Sequence, residues 1–415
     1  PSVVRWYAKS SGTTNDKSKF LPVTPEILKG CHYKGGFDTV SIYLQNNPDS
    51  HFFASKGLIL GGSHSPSPLN RNAHCGDLSA VLLQNLNPLV NLIRVPDKKI
   101  ILMDEWESKI KAIVESTWKT DVNSLSGVPS WMLVLIKAVL QKTGSEYLTD
   151  VWPNMEVFFH GGISFEPYRD QYKALIPSDR MHYMETYNAS EGFFGLQDNP
   201  EEHSLLLMID YSVFYEFIPI NEVGEEHPTV LPLEAVEVGK NYAMVITTSG
   251  GLWRYQIGDT VRFTSLYPHK FVISGRTKNF INAFGEELMV DNADKAISRV
   301  CRQTGAKVKE YTAAPLFMLD KAKGRHQWMI EFEKMPPSLD DFASLLDKTL
   351  QQLNSDYEAK RYKEISLQPL EIRVAREGTF YEWLRRKGKL GGQHKIPRLS
   401  NDRTFIEELG KICDS

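Results

Sequence analysis

The sequence predicts an α/β protein with a large first domain and a smaller α+β second domain. Strand-like runs alternate with helical runs up to about residue 200, which is typical of layered α/β domains. From Leu205 to Phe271, short strands and tight turns follow one another, which predicts an antiparallel sheet or small β-barrel. After Gly275 the order becomes helix, strand, strand, helix, strand, helix. We therefore expect a large domain over residues 1–275 and a small α+β domain over residues 276–415.

Local signals predict the elements in chain order, beginning with a strand from Val3 to Tyr7. Thr24 and Pro25 predict the start of a helix, because threonine caps free N–H groups and proline is tolerated at the first helical position. Apolar residues recur at helical spacing from Trp106 to Trp118, which predicts a surface helix with one buried stripe. The segment from Pro129 to Leu140 predicts a more buried helix.

The later elements follow from the same signals. A core strand is expected from Met155 to Phe159. In the second domain the predicted elements are a helix over 289–303, strands over 307–319 and 325–333, a helix over 338–355, a strand over 367–375 and a helix over 378–388.

Composition excludes several classes of protein. A hydrophobic content of 41% with 24% charged residues excludes a disordered or fibrous chain. The formal net charge of −3 gives no field that would favour nucleic acid or a membrane as the main partner. Four widely spaced cysteines disfavour a disulfide framework or a structural zinc site, and no apolar run reaches the roughly 20 residues of a membrane span. We therefore expect a cytoplasmic protein whose partners bind at local sites.

The first candidate site is the hydroxyl-rich turn from Lys9 to Lys19. Its hydroxyls, backbone N–H groups and lysines can converge on phosphate oxygens, because successive N–H donors form an anion-binding concavity. The spacings of a Walker loop and of a dinucleotide fingerprint are absent. A solvated hairpin rich in serine and threonine is the simpler interpretation of this composition.

Six further motifs follow this turn in chain order. With the turn they resemble the motifs of adenylate-forming enzymes, the group that contains acyl-CoA synthetases, peptide-synthetase adenylation domains and luciferase. Agreement of six motifs with those of one enzyme group, in the same chain order, is not expected by chance. The motifs are His160-Gly161-Gly162, Tyr187-Asn188-Ala189-Ser190-Glu191-Gly192, Tyr255-Gln256-Ile257-Gly258-Asp259, Gly275-Arg276-Thr277-Lys278, Gly285-Glu286-Glu287 and Gly391-Gly392-Gln393-His394-Lys395-Ile396-Pro397-Arg398.

Within that group the whole chain is similar to the Gretchen Hagen family, the auxin-responsive acyl acid amido synthetases of plants and their bacterial relatives. The likeness rests on the Ser-Ser-Gly-Thr opening, Ser190-Glu191, Leu353-Asn354-x-x-Tyr357 and Gln393-x-Lys395-x-Pro397-Arg398. Thr14 departs from the serine common in the plant enzymes, so we expect a bacterial or otherwise divergent member. Family members have a further amino-terminal segment that helps to line the acyl pocket, and we expect such a segment to precede residue 1.

The resemblance implies ATP as a substrate and Mg²⁺ as its counterion. Tyr187 would supply an aromatic face for adenine, and Asp259 would accept hydrogen bonds from the ribose hydroxyls. Glu191 would bind Mg²⁺, which takes one or two carboxylates in such sites. Lys395 would be the catalytic cation between the acyl carboxylate and the α-phosphate. The remaining implied residues are Ser10, Ser11, Gly12, Thr13, Thr14 and Lys19 for the phosphates, and Gly161, Gly162, Asn188, Ser190 and Arg276 for adenine and ribose.

Simpler interpretations of the same residues stay open. Without the family match, Glu191 is equally a helix-start glutamate on a turn, and Ile-Gly-Asp around Asp259 is a common turn. Arg276 at a domain edge is typical of a surface salt bridge. Lys395 lies in a generally basic segment, where most lysines only solvate a surface.

The expected function is activation of a carboxylic acid as acyl-AMP, followed by transfer of the acyl group to an amine, an amino acid by the family resemblance. The second domain would act as a mobile lid that serves both half-reactions. An acyl-CoA ligase shares every adenylation motif and is the first alternative. A nucleotide-binding relative without turnover is the second, although intact Glu191, Asp259 and Lys395 argue against it. The acyl pocket is expected to include Phe158, His160, Ile163 and Tyr168.

Overall fold

The structure is a computed structural model of the chain. It describes residues 3–10, 19–65, 73–166, 168–277, 279–284, 286, 288–317, 324–361, 367–388, 390 and 396–414. The predictions for Ser11, Gly12, Thr13, Thr14 and Lys395 therefore lie outside the described residues.

The strands of the described chain have the following bounds: β1 Trp6–Ser10, β2 Lys19–Val23, β3 Lys56–Ile59, β4 His64–Ser65, β5 His74–Gly76, β6 Arg94–Val95, β7 Val122–Gly127, β8 Val157–Gly161, β9 His182–Ala189, β10 Gly192–Leu196, β11 Leu205–Leu207, β12 Val213–Pro219, β13 Leu231–Pro232, β14 Asn241–Thr248, β15 Tyr255–Leu266, β16 His269–Arg276, β17 Phe280–Ile281, β18 Leu288–Met289, β19 Lys307–Phe317, β20 Gly324–Lys334 and β21 Glu371–Ala375.

The α-helices of the same residues are α1 Pro25–Ile27, α2 Lys34–Asn46, α3 Leu78–Asn85, α4 Lys98–Ile101, α5 Trp106–Thr117, α6 Pro129–Thr143, α7 Leu148–Val151, α8 Arg169–Leu175, α9 Val290–Thr304, α10 Leu339–Leu353, α11 Ser355–Arg361, α12 Thr379–Arg386 and α13 Thr404–Cys413. None of them is both long and apolar enough to cross a membrane.

Helix boundaries follow the predicted local signals. The Thr24 hydroxyl accepts a hydrogen bond from the backbone N–H of Ile27, which confirms the expected cap of α1. Helix α6 begins with Pro129 and ends at Gly144, whose φ of +71° lies in the left-handed region. Glycine suits that position because it has no Cβ to strain there.

The first domain is built on a twelve-stranded sheet with the order β13-β12-β14-β15-β16-β11-β10-β9-β8-β7-β3-β6. Strands β3, β6, β7, β8 and β9 pair in parallel, while β9 to β16 pair antiparallel. Because β9 pairs with β8 on one side and with β10 on the other, the antiparallel strands continue the parallel ones in one sheet. The expected barrel-like region is thus the antiparallel half of this sheet.

The described residues of the first domain form two large apolar cores. One packs α5 and α6 against the parallel strands, with Ile113, Leu125 and Val139 fully buried. The other lies within the antiparallel half and includes Tyr187, Phe217 and Phe263. A separate four-stranded sheet with the order β2-β1-β5-β4 carries the predicted hydroxyl-rich turn, since β1 ends at Ser10 and β2 begins at Lys19.

The second domain has the predicted α+β order. Strands β19, β20 and β21 form one sheet, in which β19 and β20 are antiparallel and β20 and β21 are parallel. Helices α9 and α10 contribute Ile297 and Leu346 to its core, against Tyr311 and Trp328 of the sheet. The six predicted elements are therefore confirmed in their order, with shifts at their ends, while β17, β18, α11 and α13 were not predicted.

Candidate active site

Asp259 lies at the centre of a polar cluster in the antiparallel half of the sheet. Its Oδ1 is 2.9 Å from Nε of Arg276, its register partner on β16. Its Oδ2 accepts a hydrogen bond from the hydroxyl of Tyr187 on β9. Three strands separate β9 from β15 in the sheet order, so this contact requires the antiparallel half to curl around its core. The carboxylate is thereby held by residues from two other strands.

A β-bulge aims Asp259 toward this cluster. Gln256 and Thr260 of β15 pair with Val245 and Ala243 of β14, so residues 257–259 lie opposite Met244 alone. Gly258 within the bulge has a φ of +87°, a conformation that favours glycine. Bulges commonly redirect a side chain beside a functional site. The bulge therefore explains why glycine at position 258 precedes the site residue Asp259.

Glu191 lies close to Asp259, in the two-residue turn between β9 and β10. Its side chain is buried, and burial is the main cause that raises its pKa to about 7. The Asp259 carboxylate raises this pKa further, while Arg276 and Lys19 lower it. Two carboxylates and two cations thus share one electrostatic site. Such shifted carboxyl groups in a cluster are typical of functional sites.

Lys19 joins this site to the first β-hairpin. Its Nζ donates a hydrogen bond to the Tyr255 hydroxyl at 3.1 Å and lies 5.3 Å from the centre of the same ring. Lys19 opens β2 and pairs in register with Ser10 of β1. Lys19, at the end of the predicted phosphate loop, is therefore hydrogen-bonded to Tyr255 of β15, four residues before Asp259.

Tyr187 itself is almost fully buried. Its ring packs at a steep angle against Phe194, with the ring centres 5.0 Å apart, and its hydroxyl is engaged by Asp259. In this arrangement Tyr187 orients the Asp259 carboxylate. Its proposed contact with adenine stays a prediction.

The neighbouring residues Asn188 and Ser190 occupy different surroundings. Oδ1 of Asn188 lies 2.9 Å from Nδ1 of His32, and burial lowers the pKa of His32 to about 4, so the neutral ring donates this hydrogen bond. The side-chain oxygen of Asn188 is therefore hydrogen-bonded to a buried residue. Ser190 is buried in the turn beside Glu191. Contacts of either residue with a nucleotide stay predictions.

Gly161 and Gly162 end β8, as predicted. A Cβ on Gly161 would lie 2.3 Å from the carbonyl oxygen of Thr186 on β9, so only glycine fits between the strands. Gly162 has a φ of +85°. These observations explain both glycines by the packing and turn of the chain, and close approach of a ligand stays a prediction.

The four residues predicted for the acyl pocket come together around one aromatic cluster. Phe158 is fully buried and stacks on Tyr172, with ring centres 5.0 Å apart, and His160 stacks on Phe165 at 4.2 Å. Ile163 packs against the same core, which includes Tyr168. The Tyr168 hydroxyl, however, contacts the second domain, where it donates to Glu310 at 2.9 Å.

His160 is the polar member of this cluster. Burial, together with the nearby Arg169, lowers the pKa of His160 to about 3, so its ring is neutral at physiological pH. Its Nδ1 has no hydrogen-bond partner among the described residues. A buried polar atom of this kind can bind a polar group of a ligand.

Sequence reasoning did not select Tyr255 as a site residue. The available signal was its place in the same motif as Asp259, but its contact with Lys19 joins residues far apart in sequence. Thr277 was also missed. Its backbone N–H donates to the Gly258 carbonyl at 2.9 Å, and this bond fixes the chain after Arg276 against the bulge.

The donor set agrees with a magnesium ion that is bound mainly by a phosphate-containing ligand. The described residues contain no group of three or more His, Cys, Asp or Glu side chains arranged to hold a metal by themselves. Glu191 would supply the carboxylate that Mg²⁺ takes beside phosphate oxygens and water.

Sequence comparisons identify the chain along most of its length. The N-terminal domain of the GH3 family matches residues 1–181, the GH3 central domain matches residues 206–276 and the GH3 C-terminal domain matches residues 291–404. The indole-3-acetic acid-amido synthetase GH3.4 of Arabidopsis thaliana is 28% identical over 99% of this chain and 70% of its own length. The 4-substituted benzoates-glutamate ligase GH3.12 of the same plant is 27% identical over 74% of this chain. The chain spans 59% of the length of GH3.12.

Solved structures show the same fold. The GH3.15 acyl acid amido synthetase has a TM-score of 0.76 at 18% identity, over 100% of this chain and 81% of that one. A 2-hydroxyisobutyryl-CoA ligase has a TM-score of 0.59 at 11% identity, over 99% of this chain and 77% of that one. The expected α/β class with a large first and a smaller second domain is confirmed. The predicted type of ligase is confirmed at the level of the family: the chain belongs to the GH3 family.

Proposed function

We propose that the chain is an ATP-dependent acyl acid amido synthetase, which activates a carboxylic acid as acyl-AMP and transfers the acyl group to an amino acid. The observation that carries this proposal is the convergence of Glu191, Asp259, Arg276 and Lys19 at one site. The names of the relatives, which include amino acid conjugating enzymes of indole-3-acetic acid and benzoates, support the type of reaction.

Asp259 would hold the ribose. Each carboxylate oxygen has two lone pairs, so both oxygens can accept a ribose hydroxyl while they remain bonded to Tyr187 and Arg276. These two partners keep the carboxylate oriented before the nucleotide binds. Preorganisation of this kind lowers the entropic cost of binding.

Glu191 would hold Mg²⁺ through its carboxylate, close to the Asp259 carboxylate that would hold the ribose. The ion would neutralise the charge of the phosphates during attack by the acid. The raised pKa of Glu191 follows from burial beside a like charge, and a bound cation would favour its ionised form.

The triphosphate would extend from Asp259 toward the first hairpin. Lys19 already faces this side through Tyr255, and Ser10, Ser11, Gly12, Thr13 and Thr14 precede it in the chain. Their hydroxyls and N–H groups would bind the β and γ phosphates. Arg276 would support the ribose or a phosphate.

The second domain would act as the lid, with the boundary between residues 275 and 276. Lys395 would place its ammonium group between the acyl carboxylate and the α-phosphate, where two anions repel each other most strongly. The acid would bind against the aromatic cluster of Phe158, His160 and Ile163, with the unpartnered Nδ1 of His160 as a polar contact. Movement of the lid would then allow an amino acid to reach the acyl-AMP.

The test is acid-dependent exchange of pyrophosphate into ATP across a library of carboxylic acids, in the presence of Mg²⁺. The best acid is then incubated with ATP and either amino acids or coenzyme A, and the product is identified by mass. An amide supports the proposal, and a thioester would identify an acyl-CoA ligase instead. Exchange with none of the acids would leave a nucleotide-binding protein and would contradict the proposal.

A further inference from the structure

The turn that follows β8 forms a contact with the second domain. Glu166 lies 3.2 Å from the guanidinium of Arg302 and accepts a hydrogen bond from the Ser298 hydroxyl at 3.3 Å, both on α9. Two residues later, the Tyr168 hydroxyl reaches Glu310 on β19. The turn that begins at Gly162 therefore ends at the interface between the two domains.

Arg398 occupies the centre of this interface. Its side chain is only 11% exposed, and its Nη2 donates to the Tyr168 hydroxyl at 3.0 Å. Its guanidinium also lies 3.4 Å from Asp294, 3.5 Å from Glu310 and 4.6 Å from the ring centre of Tyr311. Asp294, Glu310 and Tyr311 all belong to the second domain. Tyr168 and Ser164, whose side chain hydrogen-bonds to Asp294, connect this cluster to the first domain.

The backbone around Arg398 is fixed to the second domain. The Arg398 carbonyl accepts a hydrogen bond from the Ala313 N–H at 2.8 Å, and the preceding Pro397 carbonyl accepts one from the Thr312 hydroxyl at 2.6 Å. The N–H of Ser400 returns a bond to the Ala313 carbonyl. The segment therefore runs beside β19, and Arg398 moves as part of that sheet.

We propose that Tyr168 and Arg398 form an interdomain latch that holds the second domain in the arrangement required for acyl-adenylate formation. This inference rests on the proposed function. Tyr168 lies six residues after Gly162, at the end of β8 where the acid and adenosine would bind. Lys395 lies three residues before Arg398. Docking of Arg398 at Tyr168 would keep β19 and its neighbours in the second domain beside the turn after β8 during adenylation. Arg398 and Tyr168 are positioning residues in this scheme.

The variant Tyr168→Phe isolates the latch from folding. It removes one hydroxyl at the interface, while Arg398 keeps its two carboxylate partners within the second domain. Tyr381→Phe is the matched control, because the Tyr381 hydroxyl donates to Glu107 at 3.2 Å in an exposed contact between the same domains. Both variants lose the same chemical group from an interdomain hydrogen bond.

Two half-reactions and one conformational measurement test the latch. We expect Tyr168→Phe to slow acid-dependent pyrophosphate exchange by about tenfold or more, since the buried hydrogen bonds to Glu310 and Arg398 are lost. Amide formation from supplied acyl-adenylate and an amino acid should keep its rate. Hydrogen–deuterium exchange should rise in the turn after β8 and in α9. Tyr381→Phe should change none of these quantities.

Three results would overturn the latch. These are unchanged pyrophosphate exchange in Tyr168→Phe, an equal loss of both half-reactions, and unchanged deuterium uptake at the interface. Failure of the proposed function has a different signature, because the unaltered protein would then show no exchange with any acid. In that case a rise in deuterium uptake limited to Tyr168→Phe still supports the interdomain contact, while its role in adenylation is refuted.

Discussion

Asp259 on β15 accepts a hydrogen bond from the hydroxyl of Tyr187 on β9, although three other strands lie between β9 and β15 in the sheet. The contact shows how the curl of the antiparallel half brings distant motifs to one carboxylate. Arg276 holds the other oxygen of that carboxylate. A conservative change at Asp259 should therefore affect nucleotide binding more than folding, because Arg276 is partly exposed and the ring of Tyr187 keeps its place in the core.

Asp259→Asn should weaken ATP binding. The amide keeps the shape of the side chain but loses the charge that pairs with Arg276 and would receive the ribose hydroxyls. We expect the KM for ATP in pyrophosphate exchange to rise about tenfold or more, as for a lost hydrogen bond to a charged group. Asp210→Asn is the control, since Asp210 pairs with Lys34 on the surface. Equal KM values in the two variants would contradict the ribose assignment.

Glu191 should make the stability of the protein depend on pH. Its pKa is raised by burial from 4.5 to about 7, so the folded state binds more protons than the unfolded state between these values. The contribution of Glu191 to the free energy of unfolding should therefore be greatest below pH 4.5. It should fall by about 3 kcal/mol as the pH rises from 4.5 through 7. Urea unfolding at pH 5 and pH 8 measures the change.

Glu191→Gln tests the assignment of that pH dependence. The variant should be more stable than the unaltered protein at pH 8, because no charge is buried, and should lose the response of pyrophosphate exchange to Mg²⁺. Identical pH profiles of unfolding in the two proteins would show that another group titrates.

Tyr255→Phe should weaken the contribution of Lys19. The hydroxyl that accepts from the Lys19 ammonium group at 3.1 Å is removed, while the ring beside it is kept. We expect the KM for ATP to rise, with kcat nearly unchanged, since the ammonium group loses its orientation but not its charge. Lys19→Ala should have the larger effect in the same assay. A larger effect of Tyr255→Phe would mean that Tyr255 contacts the substrate itself.

Gly161→Ala should destabilise the first domain. The new Cβ would lie 2.3 Å from the Thr186 carbonyl oxygen, so β8 and β9 must move apart, at a cost of about 1–3 kcal/mol. Gly36→Ala in α2 is the matched control, because no atom lies within 4 Å of its Cβ and alanine favours a helix. Thermal unfolding should give opposite signs for the two variants. Equal midpoints would refute the steric explanation.

Lys395→Ala should slow pyrophosphate exchange with the best acid by about 10²–10³-fold, by analogy with the removal of one oxyanion donor. Lys387→Ala is the control from the same basic segment, because Lys387 pairs with Glu408 within the second domain. Exchange at the unaltered rate in Lys395→Ala would refute its catalytic role.

Much of the fold could be predicted because its signals are local. The cap at Thr24, the glycine end of α6 and the order of elements in the second domain each depend on neighbouring residues. An antiparallel region from Leu205 to Phe271 was also predicted, but its extension to β9 and β10 and its continuation into the parallel strands were not. That union depends on the pairing of β9 with both β8 and β10, which alternating apolar residues do not specify.

The sequence by itself determined the family, the chemical types of the site residues and their order along the chain. Only the tertiary structure decided which of them meet. The hydroxyl of Tyr187 orients Asp259 and the hydroxyl of Tyr168 bonds to the second domain, while the expected contacts of these residues with adenine and with the acid stay predictions. These contacts depend on the curvature of the sheet and on the position of the second domain against the first. Both result from the burial of apolar surface summed over many distant residues, which no short motif contains.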